Sequence, residues 1–146
     1  MTNLSPSRYH TVEAGRGYPV LFLHGVMGNL SNWTPLLPLV PAGMRAVCLR
    51  FPLFDPDSTL TTVDDAVAYV EGYLKEQGWP ACVLCGNSFG GHVALNVASR
   101  QPARVAVLVL SGSSGTVDKN GVESVFQQLC VGGFQSLHIS GAVEPQ

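Results

Sequence analysis

Gly86-Asn87-Ser88-Phe89-Gly90-Gly91 is the stretch whose reading decides the fold. It follows the apolar run Ala81-Cys82-Val83-Leu84-Cys85 and opens a helix-like segment from Gly90 to about Arg100. A serine on a tight turn between a buried strand and a helix, with glycine two residues to either side, has the G-x-S-x-G pattern of a nucleophile elbow. Such a turn is strained, and glycine is required where a Cβ would collide with the neighbouring strand and helix. The Ser88 hydroxyl then stands clear of the sheet. The N–H of Phe89 points to where the oxygen of a bound carbonyl would lie, and the helix N-terminus adds positive potential there. A chain with 16 glycines can produce the five-residue pattern by chance, so its weight comes from the strand before it and the helix after it. The plainer reading, Ser88 as an ordinary helix cap, leaves the flanking glycines unexplained.

Outward from this stretch, the chain alternates short apolar runs with amphipathic segments. Upstream, Thr61 to Gln77 places Val63, Ala66, Val67, Val70, Tyr73 and Leu74 at helical spacing. Thr62 with Asp65 makes a cap-like start, and Gly78 then Pro80 supply the stop. Ala46–Leu49 and Val20–Leu23 are wholly apolar, as suits strands buried on both faces of a parallel sheet. Between them, Ser31 to Val40 predicts a helix kept short or broken by Pro38 and Pro41, with Thr34 as cap and Pro35 at its first position. Arg8 to Glu13 reads as a first, polar strand, followed by the Gly15-Arg16-Gly17 turn. Downstream, Val105–Leu110 is the most apolar run of all and ends in Ser111-Gly112-Ser113-Ser114-Gly115. The order predicts right-handed crossovers and a mostly parallel sheet with helices on both faces, an α/β fold.

Composition narrows the function classes. A chain of 146 residues, 46% hydrophobic and only 12% charged, is sized for one domain with a real core. A net charge of −2 gives no electrostatic basis for binding nucleic acid or an anionic membrane. The polar start from Met1 to Gly15 lacks the apolar centre of a signal peptide, and no run approaches the roughly 20 residues of a membrane span. A cytoplasmic location is therefore expected. Cys82 and Cys85 form a C-x-x-C, but in a strand that spacing sends them to opposite faces, as buried hydrophobes rather than a redox pair. Neither they nor Cys48 and Cys130 have a second ligand pair at zinc spacing, so no metal is expected.

On these residues the chain resembles the α/β-hydrolase family over about residues 8–115, roughly the amino-terminal half of that fold. His24-Gly25-Val26-Met27-Gly28 closes an early strand where the family carries an H-G oxyanion loop, and the elbow lies about sixty residues further on. The resemblance implies Ser88 as nucleophile and the N–H groups of Val26 and Phe89 as oxyanion donors. His24 and Gly25 then belong to the oxyanion loop, with His24 ordering it. Asn87 stands where many members have histidine, and Asn32-Trp33 resembles a stretch that helps frame the pocket. Trp33 is thus a candidate pocket residue, with core packing as the alternative. His92, on the elbow helix itself, reads as packing rather than as the base. A serine hydrolase acting on a small carboxylic ester or related acyl compound is implied, without cofactor or metal. Its partner is a small-molecule acyl substrate.

The family's triad runs Ser, then Asp or Glu, then His, with the last two on loops after later strands. Asp118, Glu123 and His138 lie downstream of Val105–Leu110, but no pattern places them near Ser88. No second run like Val105–Leu110 follows, and Val122, Val125, Phe126, Leu129 and Cys130 predict one amphipathic helix. The expectation is an amino-terminal part of an α/β-hydrolase domain at 1–115 and a divergent tail at 116–146, the sheet stopping after Val105–Leu110. The outer edge of that strand would then be unpaired and a route to self-association. The alternative function is a non-catalytic truncated product or a pseudo-enzyme that binds without turnover.

Overall fold

A computed structural model of the chain describes residues 8–112 and, as backbone, the strand at 136–140. In chain order the elements are β1 (Thr11–Gly15), β2 (Tyr18–Leu23), β3 (Met44–Leu49), α1 (Val63–Gln77), β4 (Cys82–Asn87), α2 (Phe89–Arg100), β5 (Val105–Ser111) and β6 (Ser136–Ser140). They form a six-stranded sheet in the order β1-β3-β2-β4-β5-β6. β1 pairs antiparallel with β3, and every other pair is parallel. β2 and β4 are therefore central, and the sequence runs that looked buried on both faces are those with a neighbour on each side.

The register sorts the apolar residues into two faces. Leu21, Val47, Leu84 and Leu108 lie in one row across the sheet, and Leu23, Leu49, Gly86 and Leu110 in another two positions on. Both rows face the main core, where Leu21, Leu84 and Leu108 are fully buried. Burying such a side chain contributes roughly 1.5–3 kcal/mol. Against this face pack both long helices, through Ala66, Val67, Val70, Tyr73 and Leu74 of α1 and Val93, Ala94, Val97 and Ala98 of α2. The small residues of α2 let it approach the sheet closely. Among the described residues, then, both α-helices share one face. On the other face a 3-10 segment places Trp33 against Phe22, ring centroids 5.0 Å apart. Cys82 belongs to the core face and Cys85 to the opposite one, as their spacing required; both thiols are free and buried.

Local signals act as chemistry dictates. Thr62 caps α1 by accepting from the Asp65 N–H, while the Asp65 carboxylate accepts from the Thr62 N–H, a reciprocal capping box. Gly78 ends the helix at φ 64°.

Three expectations need correction. The segment after β2 is two 3-10 pieces, Leu30–Asn32 and Thr34–Leu39; Thr34 is the first residue of the second and Pro35 its second, and Trp33 holds the cap position without a side-chain cap bond. The Thr34 hydroxyl instead donates to the Ser31 carbonyl. The first strand begins at Thr11, not Arg8. The third matters most. The sheet does not stop at β5, because β6 pairs along it from Val107↔Ser136 to Ser111↔Ser140. The edge of Val105–Leu110 expected to be open is hydrogen-bonded, and self-association through it loses its basis. Ser-Leu-His-Ile-Ser carries only two apolar residues and so did not read as a strand. The helix expected across Val122–Cys130 lies outside the described residues.

Candidate active site

The elbow is built by backbone first. Ser88 has φ 52° and ψ −120°, and it is the single non-glycine residue with positive φ among the described residues. Glycine is obligatory on both sides. A Cβ on Gly86 would stand 2.4 Å from the Gly90 carbonyl oxygen, and one on Gly90 2.3 Å from that of Leu23. The turn is also tied to its neighbouring strand. Both the Ser88 N–H (3.0 Å) and the Asn87 side-chain amide (2.9 Å) donate to the Ser111 carbonyl at the end of β5. This gives Asn87 a local reason, since a donor there anchors the elbow.

The Ser88 side chain makes no capping hydrogen bond to α2, which its plainer reading required. The first helical bond runs from the His92 N–H to the Ser88 carbonyl, 3.1 Å. The N–H groups of Phe89, Gly90 and Gly91 precede it and have no acceptor within the helix. They form the positive end of the helix beside the serine.

The H-G loop lies directly on this turn. Gly25 and Gly28 close a tight turn, the Gly28 N–H donating to the Gly25 carbonyl at 3.0 Å, with Val26 and Met27 at its tip. A Cβ on Gly25 would be 3.2 Å from Ser88 Cβ and 3.6 Å from its Oγ. Two motifs about sixty residues apart in sequence thus meet at one serine. Met27 is 91% exposed and Val26 42%, so the tip of the loop faces outward.

His24 sits beneath the loop, 2% exposed. Its Nδ1 lies 2.7 Å from the Gly25 carbonyl oxygen, and its Nε2 accepts the Phe51 N–H at 3.0 Å. Burial first of all, and Arg50 to a lesser degree, push its pKa below 6.5, against the hydrogen bond to Gly25, which acts the other way. The Phe51 ring packs edge-on against His24 and against Phe89, centroids 5.2 and 5.6 Å apart. His92 is half-buried one turn into α2, where its carbonyl accepts from the Asn96 side chain. Trp33 lies on Phe22, two positions before His24, and its indole N–H is buried without a partner. Burial raises the thiol of Cys48 to about 11 and those of Cys82 and Cys85 to about 12, values that keep them from acting as nucleophiles. Among the described residues no group of three His, Cys, Asp or Glu side chains is placed to hold a metal.

Sequence reasoning did not single out Ser111 or Phe51. Ser111 ends the strand beside the elbow strand, a position that could have marked it. Phe51 gave no signal, because its part depends on where β3 lies in the sheet.

The sequence profile of the Alpha/beta hydrolase family matches residues 20–138. The chain belongs to this family. Among similar proteins, this α/β hydrolase is 32% identical over 120 residues to the 2-hydroxy-6-oxononadienedioate/2-hydroxy-6-oxononatrienedioate hydrolase of Comamonas testosteroni, covering 77% of the chain and 42% of that protein. It is 33% identical over 111 residues to the dihydrolipoyllysine-residue acetyltransferase component of the acetoin cleaving system of Pseudomonas putida, covering 74% and 30%. A solved α/β hydrolase from the metagenome of lagoon sediments at Mar Chica, Morocco, superposes with a TM-score of 0.70 at 30% identity, covering 88% of this chain and 60% of that one. The chain thus spans less than half the length of these curated relatives.

Proposed function

We propose that this α/β hydrolase carries the nucleophile and oxyanion side of a serine hydrolase acting on a small carboxylic ester or related acyl compound. Ser88 Oγ attacks the acyl carbon, and the Val26 and Phe89 N–H groups receive the negative charge that develops on the carbonyl oxygen. The observation that carries this reading is the packing of Gly25 on Ser88, which brings the two donor-bearing segments to the one strained serine. The activities for which the relatives are named point the same way, since hydrolysis of an oxo-acid and acetyl transfer both turn on a carbonyl carbon.

Attack by a serine needs a base within hydrogen-bond reach. Among the described residues, none of the hydrogen bonds joins Ser88 Oγ to a histidine. His138 pairs in register with Val109, two positions short of the Ser111–Ser140 row, inside a strand rather than on a loop. The second reading is a chain that binds an acyl compound without ordinary turnover. Loss of one triad member leaves on the order of 10³–10⁴-fold catalysis over water. The test is hydrolysis of a p-nitrophenyl ester and labelling by a fluorophosphonate, each with Ser88→Ala as control. Slow labelling at Ser88, lost in the variant, supports the proposal. Labelling unchanged by Ser88→Ala overturns it, and no labelling at all favours the non-catalytic reading. Turnover at ordinary enzyme rates would make His138→Ala the next variant.

A further inference from the structure

His24 is buried, 2% exposed, and both its ring nitrogens are committed. The Phe51 N–H can only donate, so Nε2 must accept; the Gly25 carbonyl can only accept, so Nδ1 must carry the proton. One neutral tautomer satisfies both bonds. It links the end of β2, the segment after β3 and, through the Phe51 ring, the Phe89 that opens α2.

We propose that neutral His24 is a positioning residue that locks the Phe51 segment and Phe89 beside Ser88, and that protonating its Nε2 at acid pH releases them while the Gly25 bond persists. That these groups border an oxyanion site rests on the serine-hydrolase reading. Protonation sets one N–H against another across 3.0 Å, which abolishes the acceptor and leaves the Phe51 N–H buried without a partner. The Nδ1–H bond to Gly25 is unaffected, so the release is one-sided. Phe51 is 3% exposed and packs on both rings, so displacing it disturbs the Phe89 side chain directly.

The charged and titratable surroundings do not favour the imidazolium. From the end of β3 comes Arg50, a cation held by Asp55 in a bidentate ion pair, which disfavours a second positive charge. From α1 comes Tyr69, 6.3 Å from Phe51 between ring centroids, whose hydroxyl donates to the Arg50 carbonyl and is raised to about 12, so it stays neutral. From α2, Gly90 approaches the His24 carbonyl and brings no charge. The sign follows. The folded state binds the His24 proton less readily than the unfolded state, so its contribution is complete above pH 6.5 and falls as the pH drops below it.

The test is nuclear magnetic resonance of the full chain from about pH 8 to about pH 5, following the His24 ring nitrogens and the backbone amides. The expected result is the Nδ1–H tautomer at neutral pH. The Phe51 and Phe89 amides should then shift with a midpoint below 6.5 that matches His24. Leu84 and Val97, deep in the core, should hold still. An Nε2–H tautomer, a Phe51 amide that ignores His24 titration, or simultaneous loss of all amides would each overturn the proposal. His24→Gln offers a non-titrating acceptor, and in it the Phe51 and Phe89 shifts should vanish; if they persist, His24 is not the switch. Should that variant not fold, tautomer and midpoint in the unaltered chain still decide. None of these readouts requires turnover, so failure of the ester assay leaves them intact.

Discussion

Gly25 rests close on Ser88: a Cβ there would lie 3.2 Å from Ser88 Cβ, and the serine would have to give by a few tenths of an ångström to admit it. That contact is where the strand β2 loop meets the strand β4 elbow, and it ties the shape of the site to the order of strands in the sheet.

The glycines around the elbow should differ in cost according to what their added Cβ would strike. For Gly90 the obstacles are the backbone oxygens of Leu23 and His24, at 2.3 and 2.6 Å, which cannot move without separating α2 from β2. Gly90→Ala should destabilise the fold by about 3 kcal/mol. For Gly25 the obstacle is the Ser88 side chain at 3.2 Å, and Gly25→Ala should cost about 1 kcal/mol. Urea denaturation of both variants checks the order, and equal midpoints would contradict it.

Ser88 holds an uncommon backbone conformation, φ 52° and ψ −120°, that costs a β-carbon-bearing residue on the order of 1–3 kcal/mol. Ser88→Gly relieves this strain against a smaller entropic loss, and should stabilise the chain by about 1 kcal/mol. Ser88→Ala keeps the strain and should leave stability near that of the unaltered chain. Both should abolish Ser88-dependent labelling. Thermal melts separate the two; a Ser88→Gly variant that melts earlier than Ser88→Ala would refute strain at the elbow.

Asn87 donates to the same Ser111 carbonyl as the Ser88 N–H. Asn87→Asp turns that donor into an acceptor facing an acceptor, and should destabilise by about 1–3 kcal/mol. Asn87→His restores a donor and should recover part of the loss at neutral pH. Chemical denaturation of the three proteins measures this, and an Asn87→Asp chain as stable as the original would rule out the anchor.

Hydrogen bonds from Thr62, then Thr61, hold the Asp65 carboxyl down at about 2. Its folded pKa is depressed, so its stabilising effect is present above its ordinary value of 3.8 and is lost as the pH falls from there towards about 2. The side chain lies at the surface, half-exposed, so the effect should be modest and weakened by salt. The difference in melting temperature between the chain and Asp65→Asn should be largest near pH 6 and shrink through that acid window. A difference that stays constant would remove Asp65 from the cap.

Most of the sheet was legible because its four inner runs are short, apolar and separated by an amphipathic helix or a glycine turn. Val20–Leu23, Ala46–Leu49, Ala81–Cys85 and Val105–Leu110 all became parallel strands within a residue or two of those bounds. Helix α1 was legible from both ends, through Thr62, Asp65 and Gly78. β6 was not, because a five-residue strand with serine at each end has too little apolar surface to announce itself, and forms by pairing with β5.

The sequence by itself determined the local matters: that the four apolar runs are strands, where α1 begins and ends, and that Ser88 stands at a strand-to-helix turn flanked by glycines. These depend on periodicity, capping and backbone sterics, which act within about ten residues. Only the tertiary structure decided that β3 lies between β1 and β2, that both α-helices share one face, and that Gly25 touches Ser88. It alone committed both nitrogens of His24, one to a neighbour and the other to Phe51, 27 residues away. Such contacts are fixed by strand order and register, and a linear pattern of apolar residues is compatible with several of those until the chain has packed.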